Sequence, residues 1–270
     1  MNEARRAYRT ITGLDATTVT QIHGGLNSRN YLIDGAFVLR IKEPSIDASY
    51  DPETEAKAEK AAAPLGLTPT LLHFDRKTGL KLTSFIPDTR FLLTPPTVAD
   101  AQLVADAIKK LHGLKGSNLL SFDATERLKS YAAAAGVTTF APVELKLAAH
   151  IRKLEMAGPL VLCHNDLVRG NLLFKEGRLY LIDYEYASRN LPLFDLASFV
   201  TENNIDDSVV IDAFLHRYYG ENPIPKTDFG IYCRFLDYLW YYWAQGMYKK
   251  TGQSVYKTIA HVKHQRIARH

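Results

Sequence analysis

Cysteine, tryptophan and methionine are scarce in this 270-residue chain, at two, two and three copies. Cys163 and Cys233 form no metal-ligand spacing, and Cys163 sits in an apolar stretch that reads as core rather than nucleophile. No apolar run is long enough to span a bilayer and no signal peptide opens the chain. The expectation is therefore a cytoplasmic protein with reduced thiols and no membrane insertion. An excess of one charge is also lacking. Thirty-three basic against 29 acidic residues leave +4, too little to argue for nucleic acid yet compatible with holding a small polyanion. Internal repeats and low-complexity linkers are absent, and an apolar content of 46% excludes a disordered chain. The length suits one large core or two small ones.

What is present is concentrated in residues 161–186, VLCHNDLVRGNLLFKEGRLYLIDYEY. His164, Asp166 and Asn171 fit the pattern H-x-D-x-x-x-x-N, and Asp183 follows the apolar run Leu179-Tyr180-Leu181-Ile182. Apolar pieces at 160–162 and 172–174 flank the polar residues. The order reads as strand, loop, hairpin with a Glu176-Gly177 turn, and an acid at the end of the last strand. Phosphoryl transfer from ATP needs such a set: one carboxylate to accept the proton of the attacking hydroxyl, an Asn and a second Asp to hold Mg2+. The plainer alternative is a group of ordinary loop polars beside buried strands.

The pattern matches the kinase catalytic loop, with His-Asn-Asp where protein kinases carry His-Arg-Asp. The stretch resembles the aminoglycoside phosphotransferase and choline kinase superfamily, and LIDYEYASRNLPLFDLASF is most similar to bacterial choline kinases. The resemblance runs from His23-Gly24-Gly25 to the C-terminal helices. It implies an α+β, protein-kinase-like bilobal fold, with a small antiparallel-sheet lobe (1–86) that binds nucleotide and a mainly helical lobe (87–270) that carries catalysis and substrate.

The residues of the first part agree with that frame. Strands are expected at 19–23, 31–33 and 37–42, with Asp34-Gly35 as the hairpin turn. Gly24 and Gly25 let backbone amides approach phosphate oxygens; on its own a plain β-turn is the commoner explanation, and their place upstream of a basic strand favours the phosphate role. Asn27 and Ser28 resemble the family's phosphate-loop polars. Alternation puts Val38, Arg40 and Lys42 on one strand face. The resemblance assigns the phosphate-binding role to Arg40, since guanidinium binds phosphate bidentately, and leaves Lys42 as a solvated strand end. A helix is expected at 52–64, and the resemblance puts on it a Glu that pairs with the basic strand residue. Glu53, Glu55 and Glu59 are the candidates, and the spacing back from Leu65-Gly66-Leu67-Thr68-Pro69 best matches Glu55. Strands at 71–74 and 80–85 lead into Ile86-Pro87-Asp88, which is similar to the hinge that binds adenine through backbone groups. Ser84, Phe85 and Ile86 are its candidates, with edge-strand packing as the alternative.

Beyond residue 95 helical periodicity prevails, over 97–112, 141–156, 208–219, 228–250 and 256–269. Gly113, Gly158 and Gly220 fall where helices stop. His112 lies on an apolar face and reads as a core histidine. The resemblance makes Asp166 the catalytic base with His164 beside it, Asn171 and Asp183 the Mg2+ ligands, and Asp195 a structural acid that pins the loop. A helix N-cap would also explain Asp195. Glu185 and Glu202 are candidates for the substrate side. Trp240 and Trp243, the chain's two tryptophans, are neighbours on one helical face. Such stripes are usually core; here the pair resembles the choline-site pair of choline kinases, and aromatic cages recognise quaternary ammonium groups. The expectation is an ATP- and Mg2+-dependent kinase for a small alcohol, choline. Thiamine, ethanolamine or an aminoglycoside are the alternative substrates, and a nucleotide-binding pseudokinase or a metal-dependent phosphohydrolase the alternative classes.

Overall fold

The computed structural model describes residues 1–22, 28–43, 50–115 and 119–269. Asp34 and Gly35 hold φ of 51° and 63°, a left-handed conformation that Asp and Gly tolerate. They join β2 (Ser28–Ile33) to β3 (Phe37–Lys42), with Ile33 opposite Phe37 and Ser28 opposite Lys42. β1 (Val19–Ile22), β4 (Leu71–Phe74) and β5 (Lys81–Ser84) complete an antiparallel sheet of order β1-β2-β3-β5-β4. The register sets Arg40 of β3 opposite Lys81 of β5.

α2 (Pro52–Ala62) starts where the Asp51 side chain accepts from the amides of Glu53 and Thr54 and Pro52 fills the first turn. Its face of Glu55, Ala58, Glu59 and Ala62 is buried. Ahead of the strands, where the sequence reading places no element, lies α1 (Asn2–Thr12). Only Ala4 and Tyr8 are fully buried on it, with Ile11 partly so. That stripe among Arg, Glu and Thr is thin, and tertiary packing rather than propensity holds the helix. Tyr8 meets Phe37 of β3 at 6.1 Å between ring centroids.

The chain then enters the helical lobe. β6 (Arg90–Phe91) pairs with β8 (Leu172–Lys175), which forms a hairpin with β9 (Arg178–Leu181) around Glu176 and Gly177. β7 (Val161–Cys163) pairs with β10 (Ser188–Asn190). The helices are α3 (Val98–His112), α4 (Ala124–Ala134), α5 (Pro142–Ala157), α6 (Pro192–Glu202), α7 (Ser208–Tyr219), α8 (Lys226–Thr251) and α9 (Ser254–Ile267). Five of them stand within two residues of the periodic segments; α4 escaped because its buried face is only Ala124, Leu128, Tyr131 and Ala132. The 26-residue α8 is the spine, packed by α4, α5, α6 and α9. Phe194, Phe199, Phe214, Tyr232 and Phe235 fill the core around it. Among the described residues no helix is long and apolar enough to cross a membrane.

Candidate active site

β7 delivers the chain into the loop 164–171 at Asn165, whose φ is 63°. Asn is among the few residues that accept this conformation readily. Its side chain donates to the Tyr186 carbonyl at 2.8 Å and the Ser188 hydroxyl at 2.6 Å, and accepts from Asn190 at 3.0 Å. Asp195 holds the same turn from α6. Its two oxygens accept the backbone amides of His164 (2.8 Å) and Asn165 (2.7 Å). The N-cap of α6 is Leu191, so capping does not account for Asp195. His112 is buried, and its ring bridges Asp195 at 3.0 Å and the Tyr218 hydroxyl at 2.8 Å.

His164 differs from expectation. It is fully buried, its Nε2 meets the Ile182 carbonyl at 3.1 Å, and its ring packs on Tyr184 at 4.6 Å. Burial pushes its pKa below the ordinary histidine value, which favours the neutral ring. The ring does not line the cavity between the lobes. The expected catalytic part for His164 is therefore corrected: it ties the loop to the segment leading into Asp183, a positioning role.

That cavity, of about 620 Å³, brings together Arg40, Asp166, Asn171, Asp183, Glu185 and Glu202, with Trp240 and Trp243 on its wall. Asn171 donates through Nδ2 to the Asp166 carbonyl (3.0 Å) and carboxylate (2.8 Å), which turns its amide oxygen into the atom available for a cation. Asp183 holds φ 64° at the end of β9's extension. Burial first, then the charges of Glu202, Glu185 and Asp183, raise Asp166 well above the usual carboxylate range. The Asn171 amide oxygen and the Asp183 carboxylate are hard oxygen donors on one cavity wall, and such donors fit Mg2+.

Arg40 is the hub of the opposite wall. Nη1 and Nη2 grip the Glu55 carboxylate at 2.6 and 2.8 Å, Nη1 reaches Asp183 at 2.9 Å, and Nη2 reaches the Gly79 carbonyl at 3.1 Å. Glu53 instead pairs with Lys57 on the surface at 2.9 Å. Glu55 lies well below the carboxylate range despite full burial, because Lys81 and Arg40 outweigh the desolvation. Lys42 overturns the expectation of a solvated strand end. Its side chain is only 4% exposed, is ion-paired with Glu185, and lies 4.3 Å from the Tyr50 ring centroid. Lys81 was not singled out by the sequence, yet it donates to Glu55 (3.0 Å) and Glu59 (2.9 Å).

Of the hinge candidates, all three line the cavity, but two amides are committed elsewhere. Ser84 donates to Thr70 at 2.9 Å and Phe85 to Ala36 at 2.7 Å. The Ile86 amide has no backbone partner among the described residues. Ser28 opens β2 and is not part of the cavity wall; Gly24, Gly25 and Asn27 lie outside the described residues. Ile22 and Asn30, on either side of those positions in the sequence, do line the cavity.

At the far end Trp240 is 6% exposed and belongs both to the core and to the cavity wall. Trp243 meets it edge-on at 5.6 Å and 89°, and Tyr186 does so at 6.0 Å and 78°. Tyr186 was missed because nothing in its sequence spacing ties it to α8. Glu185 and Glu202 border this end, each pushed up to about 7, by burial first. Asp183 raises Glu185 further while Lys42 opposes; Lys263 and Ser198 oppose the shift at Glu202.

The model of the Phosphotransferase enzyme family matches residues 18–228. The chain belongs to that family. This phosphotransferase is 27% identical over 243 residues to Protein LicA of Haemophilus influenzae, a match covering 82% of this chain and 71% of the relative. Its fold is shared with two solved proteins. One is a choline/ethanolamine kinase family protein from Mesorhizobium loti, at TM-score 0.83 and 23% identity over 99% of this chain and 93% of that one. The other is the choline kinase LicA from Streptococcus pneumoniae, at TM-score 0.81 and 21% identity over the whole of both chains. Like these two proteins, the phosphotransferase has a kinase-like fold.

Proposed function

We propose that this phosphotransferase transfers the γ-phosphoryl group of ATP to the hydroxyl of choline, giving phosphocholine. The observation that carries the reading is that Trp240 and Trp243 wall the same cavity as Asp166, Asn171 and Asp183. A quaternary ammonium offers no N–H to a hydrogen-bond acceptor and is recognised by aromatic faces and by charge. The two indoles and Tyr186 supply the faces, and Glu185 and Glu202 the negative field. LicA of Streptococcus pneumoniae, a choline kinase, supports the same choice.

Nucleotide enters between the lobes, with its base against the Ser84–Ile86 segment, the Ile86 amide as its donor, and its phosphates toward Arg40. Arg40 is charged at every working pH and is already oriented by Glu55. Asn171 and Asp183 would hold Mg2+, which would supply charge neutralisation for the phosphates. Asp166 accepts the proton of the choline hydroxyl. His164, Asn165 and Asp195 fix its place. Orientation of the hydroxyl for in-line attack is then the protein's main contribution. Ethanolamine is the second reading. A primary ammonium needs acceptors, and the carboxylates of Glu185 and Glu202 on the same wall provide them.

Tryptophan substitution separates a cation site from packing. Trp243→Ala is expected to raise KM for choline about thirtyfold with little change for ATP, since a desolvated cation–π contact is worth about 2 kcal/mol. Because truncating a packed tryptophan also costs about 3–5 kcal/mol of stability, Trp243→Phe is the cleaner variant. It keeps a ring beside Trp240 and Tyr256, and is expected to fold and bind choline more weakly. A lowered Tm with unchanged choline kinetics on the folded fraction makes Trp243 a packing residue.

A further inference from the structure

Lys81 has no part in the reading above, yet it is buried, lines the cavity and sits opposite Arg40 across two antiparallel strands. Directly opposed residues share a sheet face, and like charges placed so repel. The structure resolves that conflict with α2. Glu55 Oε1 accepts from Arg40 at 2.6 Å and from Lys81 at 3.0 Å. One helical turn on, Glu59 takes a second bond from Lys81 at 2.9 Å. Glu55 and Glu59 are 0% and 2% exposed, so neither is screened by water. Without Lys81, Arg40 is left with the carboxylates of Glu55 and Asp183, and Glu59 loses its ion-pair partner. Two carboxylates at i and i+4 then repel each other on one face.

We infer that Lys81 is a positioning residue for phosphoryl transfer: by bridging Glu55 and Glu59 it holds Glu55 where Glu55 fixes the Arg40 guanidinium toward the nucleotide phosphates. This rests on Arg40 as the phosphate ligand. Lys81 acts through two carboxylates and not on the phosphates themselves, because the bonds of its ammonium are turned to α2.

The test is steady-state kinetics, with Tm recorded alongside, on Lys81→Met, Glu59→Gln, the double variant and Arg40→Met. Lys81→Met is expected to raise KM for ATP about tenfold, the size with which neighbours in one buried network couple. KM for the alcohol should stay within about twofold. In the double variant, where the abandoned Glu59 charge is gone, most of the ATP affinity should return. Should Lys81→Met not fold, Glu59→Gln alone carries the test, with KM for ATP expected to rise about threefold and KM for the alcohol unmoved. A fall in Tm without a shift in KM for ATP overturns the inference, as a merely structural role. So does a raised KM for ATP that Glu59→Gln does not relieve, which means direct contact with phosphate. If Arg40→Met leaves KM for ATP unchanged, the underlying reading of Arg40 fails; if it raises KM while the Lys81 and Glu59 variants do not, only the inference fails.

Discussion

Asp166→Asn is expected to lower kcat by about 10²–10⁴-fold while KM for ATP changes little, the range that one positioned acid–base group contributes. The amide keeps the size of the carboxylate, and its oxygen can still accept from Asn171, which now holds Asp166 at 2.8 Å. What disappears is the ability to take a proton. The loop keeps its geometry, since Asp195 holds the amides of His164 and Asn165 independently of residue 166. Single-turnover measurement with ATP and choline at saturation isolates the step. Turnover near the starting level removes Asp166 from the role of base.

Asp183→Ala is expected to raise the Mg2+ concentration needed for half-maximal activity by well over tenfold. Partners that only orient a metal ligand are typically worth about 10–100-fold, and a direct ligand contributes no less. The substitution also takes from Arg40 one of its partners, at 2.9 Å, but leaves the two-pronged grip of Glu55 in place. Loss is therefore directed at the metal rather than at the N-terminal wall. Titrating Mg2+ at fixed ATP, with Asp183→Asn as the milder variant, reads the effect. An unchanged Mg2+ requirement counts against Asp183 as a ligand.

Local chemistry made the catalytic loop legible. The loop 164–171 and Asp183 flank a single hairpin, β8 and β9, so the hairpin brings its two ends together and local order in the chain gives order in space. Asp34-Gly35 and Glu176-Gly177 marked two hairpins for the same reason: a left-handed turn restricts which residues can occupy it. Contacts that cross the chain were not legible. Lys42 and Glu185 are 143 positions apart, and a lysine at a strand end reads as solvated until the second lobe closes over it. Lys81 became visible only with the register that sets it opposite Arg40. Asp195 was ambiguous because an acid near a helix start serves as well for an N-cap as for a pin. The tryptophans were ambiguous for a different reason, since Trp240 packs in the core and faces the cavity at once. α1 shows the limit of periodicity, where Ala4 and Tyr8 supply nearly the whole buried face.

Substrate choice is the claim on which the account stands. The direct measurement is phosphoryl transfer from γ-labelled ATP in the presence of Mg2+, comparing kcat/KM for choline, ethanolamine, thiamine and an aminoglycoside on the same preparation. The aromatic wall of Trp240, Trp243 and Tyr186 predicts the highest value for choline and labelled phosphocholine as the product. A higher value for any of the other three contradicts the cation-cage reading, and label released only as inorganic phosphate contradicts the kinase reading altogether.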